Sequence, residues 1–413
     1  MGAEPAHGRR HPVTRVLIWA THLQTDILAL TSHLDRCSDV ELLIVTPNVA
    51  AFRDDLFYRQ RPFTAPLIDR NDRDTPGRVR VFKADVAIAD NHVPPKGYAP
   101  RLFYMWHGLG WKARSKLDLR IFYHQVRRLT GYDPRTPNPN FRAQCYGPTD
   151  RAWRIDNWRL PESACVEIGM TFSDLVLNLP YDRAEIAKEL RIDILNRPTI
   201  ALAITWHSGG IFANGPGGNE AVPGADFNFL SEMLALAKRR RANLLICLHD
   251  RHRYFPKFIA MLEALARDNT FVELRFKNEH PDNMVDLFAA DVMISNYSSF
   301  LSYFYLLGRP AIHLLPAMPS DRVSRVAMLF SRVPIHRRLA AEEAWMLDPR
   351  DNGGILVSNS SDAVAATDAA LRALTGHPRN DAARLWLHKH VFHVDGHTAE
   401  RFKAEIDKLC ASA

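Results

Sequence analysis

"ADVMISNYSSFLSYFYLLGRPAIH", residues 290 to 313, carries a complete strand, turn, helix and strand signal. The apolar run 290–296 has the length of a buried strand, and "SNYSSF" (295–300) ends it with residues that open helices. "FLSYFYLLG" then reads as a helix closed by Gly308, whose missing Cβ suits a helix C-terminus. "PAIHLLP" (310–316) begins the next apolar strand. Strands joined through a helix lie parallel, with the helix laid on the face of the sheet.

The same rhythm extends in both directions. "TIALAITW" (199–206), a helix over 229–241, "NLLICLH" (243–249), a helix over 257–267 and "GILVS" (354–358) complete one series. An earlier series holds "RVLIWAT" (15–21), an amphipathic helix over 23–34, "VELLIVTP" (40–47), "ADVAIAD" (84–90) and "RLFYMWH" (101–107). The pattern predicts an α/β protein with two successive doubly wound parallel-sheet domains, over 13–180 and 197–375. Their join falls between 175 and 197. A polar tail (1–12) precedes them, and a helical segment (380–413) follows. Open sheets of this kind bind ligands beyond the carboxyl ends of their strands, so the expected site is the cleft between the domains.

Composition narrows the chemistry. The 413 residues, 46% hydrophobic and 24% charged, are those of a globular protein without low-complexity tracts. Fifty-three Lys and Arg against 46 Asp and Glu give a net charge of +7, a mild excess that suits an anionic substrate or surface. No nucleic-acid-binding signature accompanies it. Cysteines at 37, 145, 165, 247 and 410 form no C-x-x-C pair, so a disulfide framework and a thiolate zinc site are both unexpected. "MGAEPAHGRRHP" (1–12) lacks the apolar stretch of a secretion signal, and the greasiest segment, 300–318, is broken by Gly308, Arg309 and Pro310. These features predict a cytoplasmic protein that meets a membrane only at its surface.

Several chemistry-bearing groups fall at strand ends. His107-Gly108 ends one strand and is followed by Lys112, Arg114 and Lys116. His249-Asp250 ends another. Ser298 and Ser299 sit where a strand passes into a helix, a place for a helix cap or a phosphate. His249 and His252 have H-x-x-H spacing but no partnering carboxylate pattern, so no metal is expected. The glycine-rich loop 208–219 matches no phosphate-binding motif and reads as a lid or a flexible insertion. Over 112–132, Leu117, Ile121, Phe122, Val126 and Leu129 recur at helical spacing among basic residues. Such a helix either packs on its own domain or rests on an acidic membrane surface.

Taken together and in order, these segments resemble the CDP-glycerol glycerophosphotransferase family, the polyol-phosphate transferases of teichoic-acid and capsule synthesis. Trp106-His107-Gly108-Leu109-Gly110-Trp111-Lys112 is similar to the family's W-H-G-T-P-x-K segment, with Leu109-Gly110 in place of Thr-Pro. "IGMTFSD" (168–174), "AITWH" (203–207) and "CLHD" (247–250) resemble further segments, and Ala290–Ser299 resembles A-D-x-x-I-T-D-Y-S-S. "DGHTAER" (395–401) is like the closing segment. The resemblance implies a GT-B architecture, two Rossmann-like domains facing across a cleft, the first (13–180) on the acceptor side and the second (197–375) on the nucleotide-donor side, with the last helix crossing back to the first domain.

It further implies a CDP-linked donor, release of CMP, and an acceptor that is a polyol phosphate, glycan or lipid-linked hydroxyl. No cofactor or metal is implied. His107 would then be the general base and His249 a ligand of the donor phosphate. Gly108, Thr205, Ser295, Asn296, Ser298 and Ser299 would line the donor site, while Lys112, Arg114 and Lys116 would attract the acceptor. A nucleotide-sugar glycosyltransferase and a non-catalytic binding protein of the same fold stay open as alternatives.

Overall fold

The computed structural model describes residues 13–106, 108–111, 113–114, 116–178, 181–204, 229–254, 256–281, 283–296, 298–314, 345–374 and 380–411. His107, Lys112, Thr205 and the loop 208–219 lie outside the described residues.

Seven parallel strands build the first sheet: β1 (Thr14–Trp19), β2 (Val40–Thr46), β3 (Leu67–Asp69), β4 (Val86–Ala89), β5 (Leu102–Tyr104), β6 (Phe141–Cys145) and β7 (Cys165–Glu167). Their spatial order is β3-β2-β1-β4-β5-β6-β7. A second sheet holds β8 (Thr199–Ala203), β9 (Asn243–Leu248), β10 (Val272–Phe276), β11 (Val292–Ser295), β12 (Ala311–Leu314) and β13 (Ile355–Val357), in the order β10-β9-β8-β11-β12-β13. The first six strands of each half therefore follow one scheme, winding outward from β1 or β8 in one direction and then in the other. That is the Rossmann arrangement, whose ligand crevice opens where the winding reverses. Here the reversals fall between β1 and β4 and between β8 and β11.

Four of these strands escaped the apolar-run reading. β3 and β7 are three residues long and lie at or near sheet edges. β6 ("FRAQC") and β10 ("VELRF") are interrupted by polar side chains. In β10 the charges are satisfied within the fold: Arg275 pairs with buried Asp286, and Glu273 accepts from the Arg191 N–H at 3.0 Å. A buried edge strand can carry charge when each charge has a partner, and this hides it from a hydrophobicity pattern.

The central strands supply the core, with Val16, Leu17 and Ile18 of β1 and Ile200, Ala201 and Leu202 of β8 fully buried. One apolar cluster runs through both domains, from Val16 and Ile27 to Tyr303, Trp386 and Phe402. The helix Thr398–Ala411 follows the second domain in sequence yet packs on the first, where the Phe402 ring lies 4.2 Å from that of Phe103. Trp111 makes the reverse excursion. It sits on the loop after β5, is 0% exposed, and packs 4.7 Å from the His313 ring of the second domain and 5.5 Å from Trp386 on the helix Asp381–His390. Its indole N–H and that of Trp386 both donate to the Asp351 carbonyl, at 3.2 and 3.0 Å.

Candidate functional site

The two reversal points face each other across a cleft of about 410 Å3. Its first-domain wall comes from the residues after β1 and β4, among them Thr21, His22, Gln24, Asp90 and His92. The facing wall comes from the ends of β8, β9, β10 and β11, with Ile204, His249, Lys277, Ser298 and Ser299.

Gly108 and Ser299 are brought together although they lie far apart in sequence. A Cβ at position 108 would stand 2.7 Å from Ser299 Cβ and 2.6 Å from Tyr303 Oη, and the backbone there has φ +110°. Only glycine permits both the conformation and the approach. The buried Tyr146 hydroxyl accepts from the Gly108 N–H at 3.0 Å and donates to the Trp106 carbonyl at 2.7 Å. One phenol thus fixes the backbone on either side of position 107.

A second buried group ties the two domains together. Tyr303, on the helix Ser299–Tyr305, donates its hydroxyl to Asp26 of the first domain. Asp26 also accepts from the Phe172 N–H at 2.9 Å and from Thr171 Oγ1 at 3.2 Å. Burial pushes its carboxyl up to about 6, and these hydrogen bonds hold the rise in check.

Across the cleft, His22 Nε2 lies 3.6 Å from a carboxylate oxygen of buried Asp250. The Asp250 N–H donates to His249 Nδ1 at 2.8 Å. Burial, with the charge of Lys277, lowers His22 to about 3, so it is neutral near physiological pH. Asp90 accepts from the Thr21 N–H at 2.8 Å, and Thr21 Oγ1 lies 3.0 Å from His92 Nδ1. Burial raises the Asp90 carboxyl. Among the described residues, no group of three His, Cys, Asp or Glu side chains is placed to hold a metal ion.

Solved structures share this architecture. The wall teichoic acid polymerase TagF, in a variant soaked with CDPG, matches over 97% of this chain and 90% of its own, with 14% identity and a TM-score of 0.65. The UDP-GlcNAc 2-epimerase of Neisseria meningitidis, bound to UDP-GlcNAc, matches over 96% of this chain and 100% of its own, with 11% identity and a TM-score of 0.55.

The fold is GT-B.

A glycosyltransferase from Rickettsia africae matches over 97% of this chain and 99% of its own, at 11% identity and a TM-score of 0.50. No protein-family model and no curated protein matches the sequence.

On this GT-B frame the residues singled out from the sequence separate into three sets. Gly108, His249, Ser298 and Ser299 line the cleft. Ser298 is also a helix cap, its Oγ accepting from the Phe300 N–H at 3.2 Å. Ser295 and Asn296 lie beneath the cleft, fully buried, and the Ser295 hydroxyl donates to the Ala203 carbonyl at 2.6 Å. That hydroxyl ties β11 to β8 instead of facing a ligand.

Arg114 and Lys116 are not on the cleft lining. The Arg114 guanidinium lies 4.4 Å from the Trp106 ring centre, 5.2 Å from Phe122 and 5.4 Å from Trp158, and it donates to the Asn91 side chain at 3.3 Å. Trp106 at the end of β5, with Phe122 and Trp158 from later in the chain, builds an aromatic cage for this cation. Lys116 is exposed as the first residue of the helix Lys116–Thr130. The first-domain wall itself was missed. Thr21, Gln24, Asp90 and His92 belong to no motif, and their one signal is position, just beyond the apolar strands β1 and β4.

Proposed function

We propose that the protein transfers an alditol phosphate, glycerol phosphate or a close relative, from a CDP-linked donor to an acceptor hydroxyl in cell-surface polymer or glycan synthesis. One observation carries the reading. Gly108, His249 and Ser298-Ser299, which come from three segments resembling the CDP-glycerol glycerophosphotransferase family, converge on one interdomain cleft of GT-B form. The likeness to TagF, a wall teichoic acid polymerase with a form soaked with CDPG, supports the same donor class.

In this mechanism the acceptor oxygen bonds to the alditol-linked phosphorus as the bridging P–O bond to CMP breaks, and CMP departs with the bridging oxygen. The acceptor proton passes to His107. Lys277, His249 and the Ser298-Ser299 turn surround the diphosphate, since positioning and charge neutralisation supply most of phosphoryl-transfer catalysis. No cofactor or metal enters the scheme.

Ser298→Ala with Ser299→Ala is expected to weaken CDP-glycerol binding several-fold in calorimetry. Losing the Ser298 cap costs about 1 kcal/mol of stability, so circular dichroism accompanies the titration. Unchanged affinity in a folded double variant removes the phosphate role from this turn.

The likeness to a UDP-GlcNAc 2-epimerase and to a glycosyltransferase favours one second reading, a nucleotide-sugar enzyme of the same fold. A thermal-shift panel of CDP-glycerol, CDP-ribitol, UDP-sugars and CMP-linked sugars separates the two by which donor stabilises the protein.

Among the described residues, no helix is long and apolar enough to cross a membrane. The helix Lys116–Thr130 buries Phe122, Val126 and Leu129 in its own domain, while Leu117 and Ile121 stay 65% and 48% exposed beside Lys116, Arg120, Arg127 and Arg128. This face suits an anionic membrane surface on the cytoplasmic side. Liposome flotation at low salt is expected to carry the protein with anionic vesicles, and Leu117→Asp with Ile121→Asp to abolish this. Wild-type protein left at the bottom of the gradient ends the idea.

A further inference from the structure

The two walls of the cleft differ in the side chains they present. Among the described residues, Lys277 is the one lysine or arginine on the lining, and it belongs to the second domain. The first-domain wall carries hydroxyl, amide, imidazole and carboxylate groups instead: Thr21, Gln24, Asp90, Asn91 and His92, with Trp106 at their side.

Gln24 is the telling member. It is 4% exposed, and its side-chain Nε2 is buried without a hydrogen-bond partner. It precedes the helix Thr25–Leu34, yet its side chain does not cap that helix. Leaving a buried amide donor unmade is costly. An amide kept in that condition on a cleft wall has a use when a ligand oxygen completes it. Asp90, beneath the Thr21 turn, is a buried carboxylate with the Arg70 cation close by, and its oxygens can accept from a hydroxyl.

We infer that the first-domain half of the cleft is a subsite for a neutral polyhydroxyl group, a polyol or sugar unit, held by Gln24, Asp90 and His92. A donor amide, an acceptor carboxylate and an imidazole together satisfy neighbouring hydroxyls, each of which both donates and accepts. Trp106 offers apolar surface to the C–H face of such a unit. The inference deepens the transferase reading and rests on it only for naming this unit as part of the acceptor. It moves acceptor recognition away from Arg114 and Lys116 to residues that carry no positive charge.

The test is saturation-transfer NMR on the full chain with glycerol, ribitol, glucose and N-acetylglucosamine, each compared with its phosphate ester, in the presence of CMP. A neutral member is expected to receive saturation, and its affinity to fall about three- to tenfold in Gln24→Leu and in Asp90→Asn. Gln24→Glu, which keeps the shape and exchanges donor for acceptor, is expected to weaken binding likewise. Signals from phosphate esters only, no signal from any neutral member, or equal affinity in folded Gln24 and Asp90 variants overturns the inference. Neutral binding that persists in wild-type protein unable to take CMP sinks the donor reading and leaves this one standing.

Discussion

His107→Ala is expected to lower CMP release from a CDP-linked donor by about two orders of magnitude or more, the range typical of losing a positioned base. Donor affinity should stay nearly unchanged. The reason lies in the neighbours of this residue. Tyr146 holds the Trp106 carbonyl and the Gly108 N–H from below, and Gly108 is pressed against Ser299 of the donor-side turn. Trp106 and Gly108, the two residues that flank position 107, are thus both pinned and both line the cleft, and general-base catalysis gains from such positioning. Its unperturbed pKa of about 6.5 lets it accept a proton near neutrality. His107→Gln should be equally inactive, since an amide can hydrogen-bond but cannot take the proton. Near wild-type CMP release from folded His107→Ala at saturating acceptor would make this histidine structural.

Trp111→Ala is expected to cost about 3–5 kcal/mol of stability, the range for emptying a buried aromatic site. The indole is fully buried, packs against the His313 and Trp386 rings, and donates its N–H to the Asp351 carbonyl. Removing it leaves a cavity at the interface and one carbonyl with a single donor. Urea unfolding followed by circular dichroism measures the effect, with Trp111→Phe expected to lose less. A loss below about 1 kcal/mol would show that the domains do not depend on this wedge.

How far the sequence reveals this molecule depends on which physical signal each part leaves. The central strands are buried on both faces and leave continuous apolar runs, so β1, β2, β8, β9 and β11 were legible. The edge strand β10 was not, because Glu273 and Arg275 are charged and become buried only through partners distant in sequence. The site divides in the same way. His249, Ser298 and Ser299 stand in segments with a family resemblance, and they do reach the cleft. Arg114 illustrates the reverse case: a cation after a strand suggested a binding role, yet aromatic residues on both sides of it in the sequence form its enclosure. Gln24 left no pattern at all, since its meaning lies in an unmet hydrogen bond that exists only once the fold has closed around it.

The returning helix Thr398–Ala411 bears on the order in which the protein is made. Its Phe402 completes packing against Phe103, and its Lys403 pairs with Asp39 at 2.7 Å, both within the first domain. A ribosome releases the first sheet well before this helix, so the nascent domain must wait, with part of its apolar face uncovered, while the whole second domain is synthesised. Domains that finish in sequence can fold one at a time during translation. This one is finished only by a segment encoded after its neighbour, which gives chaperones a long interval in which to hold it and makes premature termination anywhere in the second domain damaging to the first.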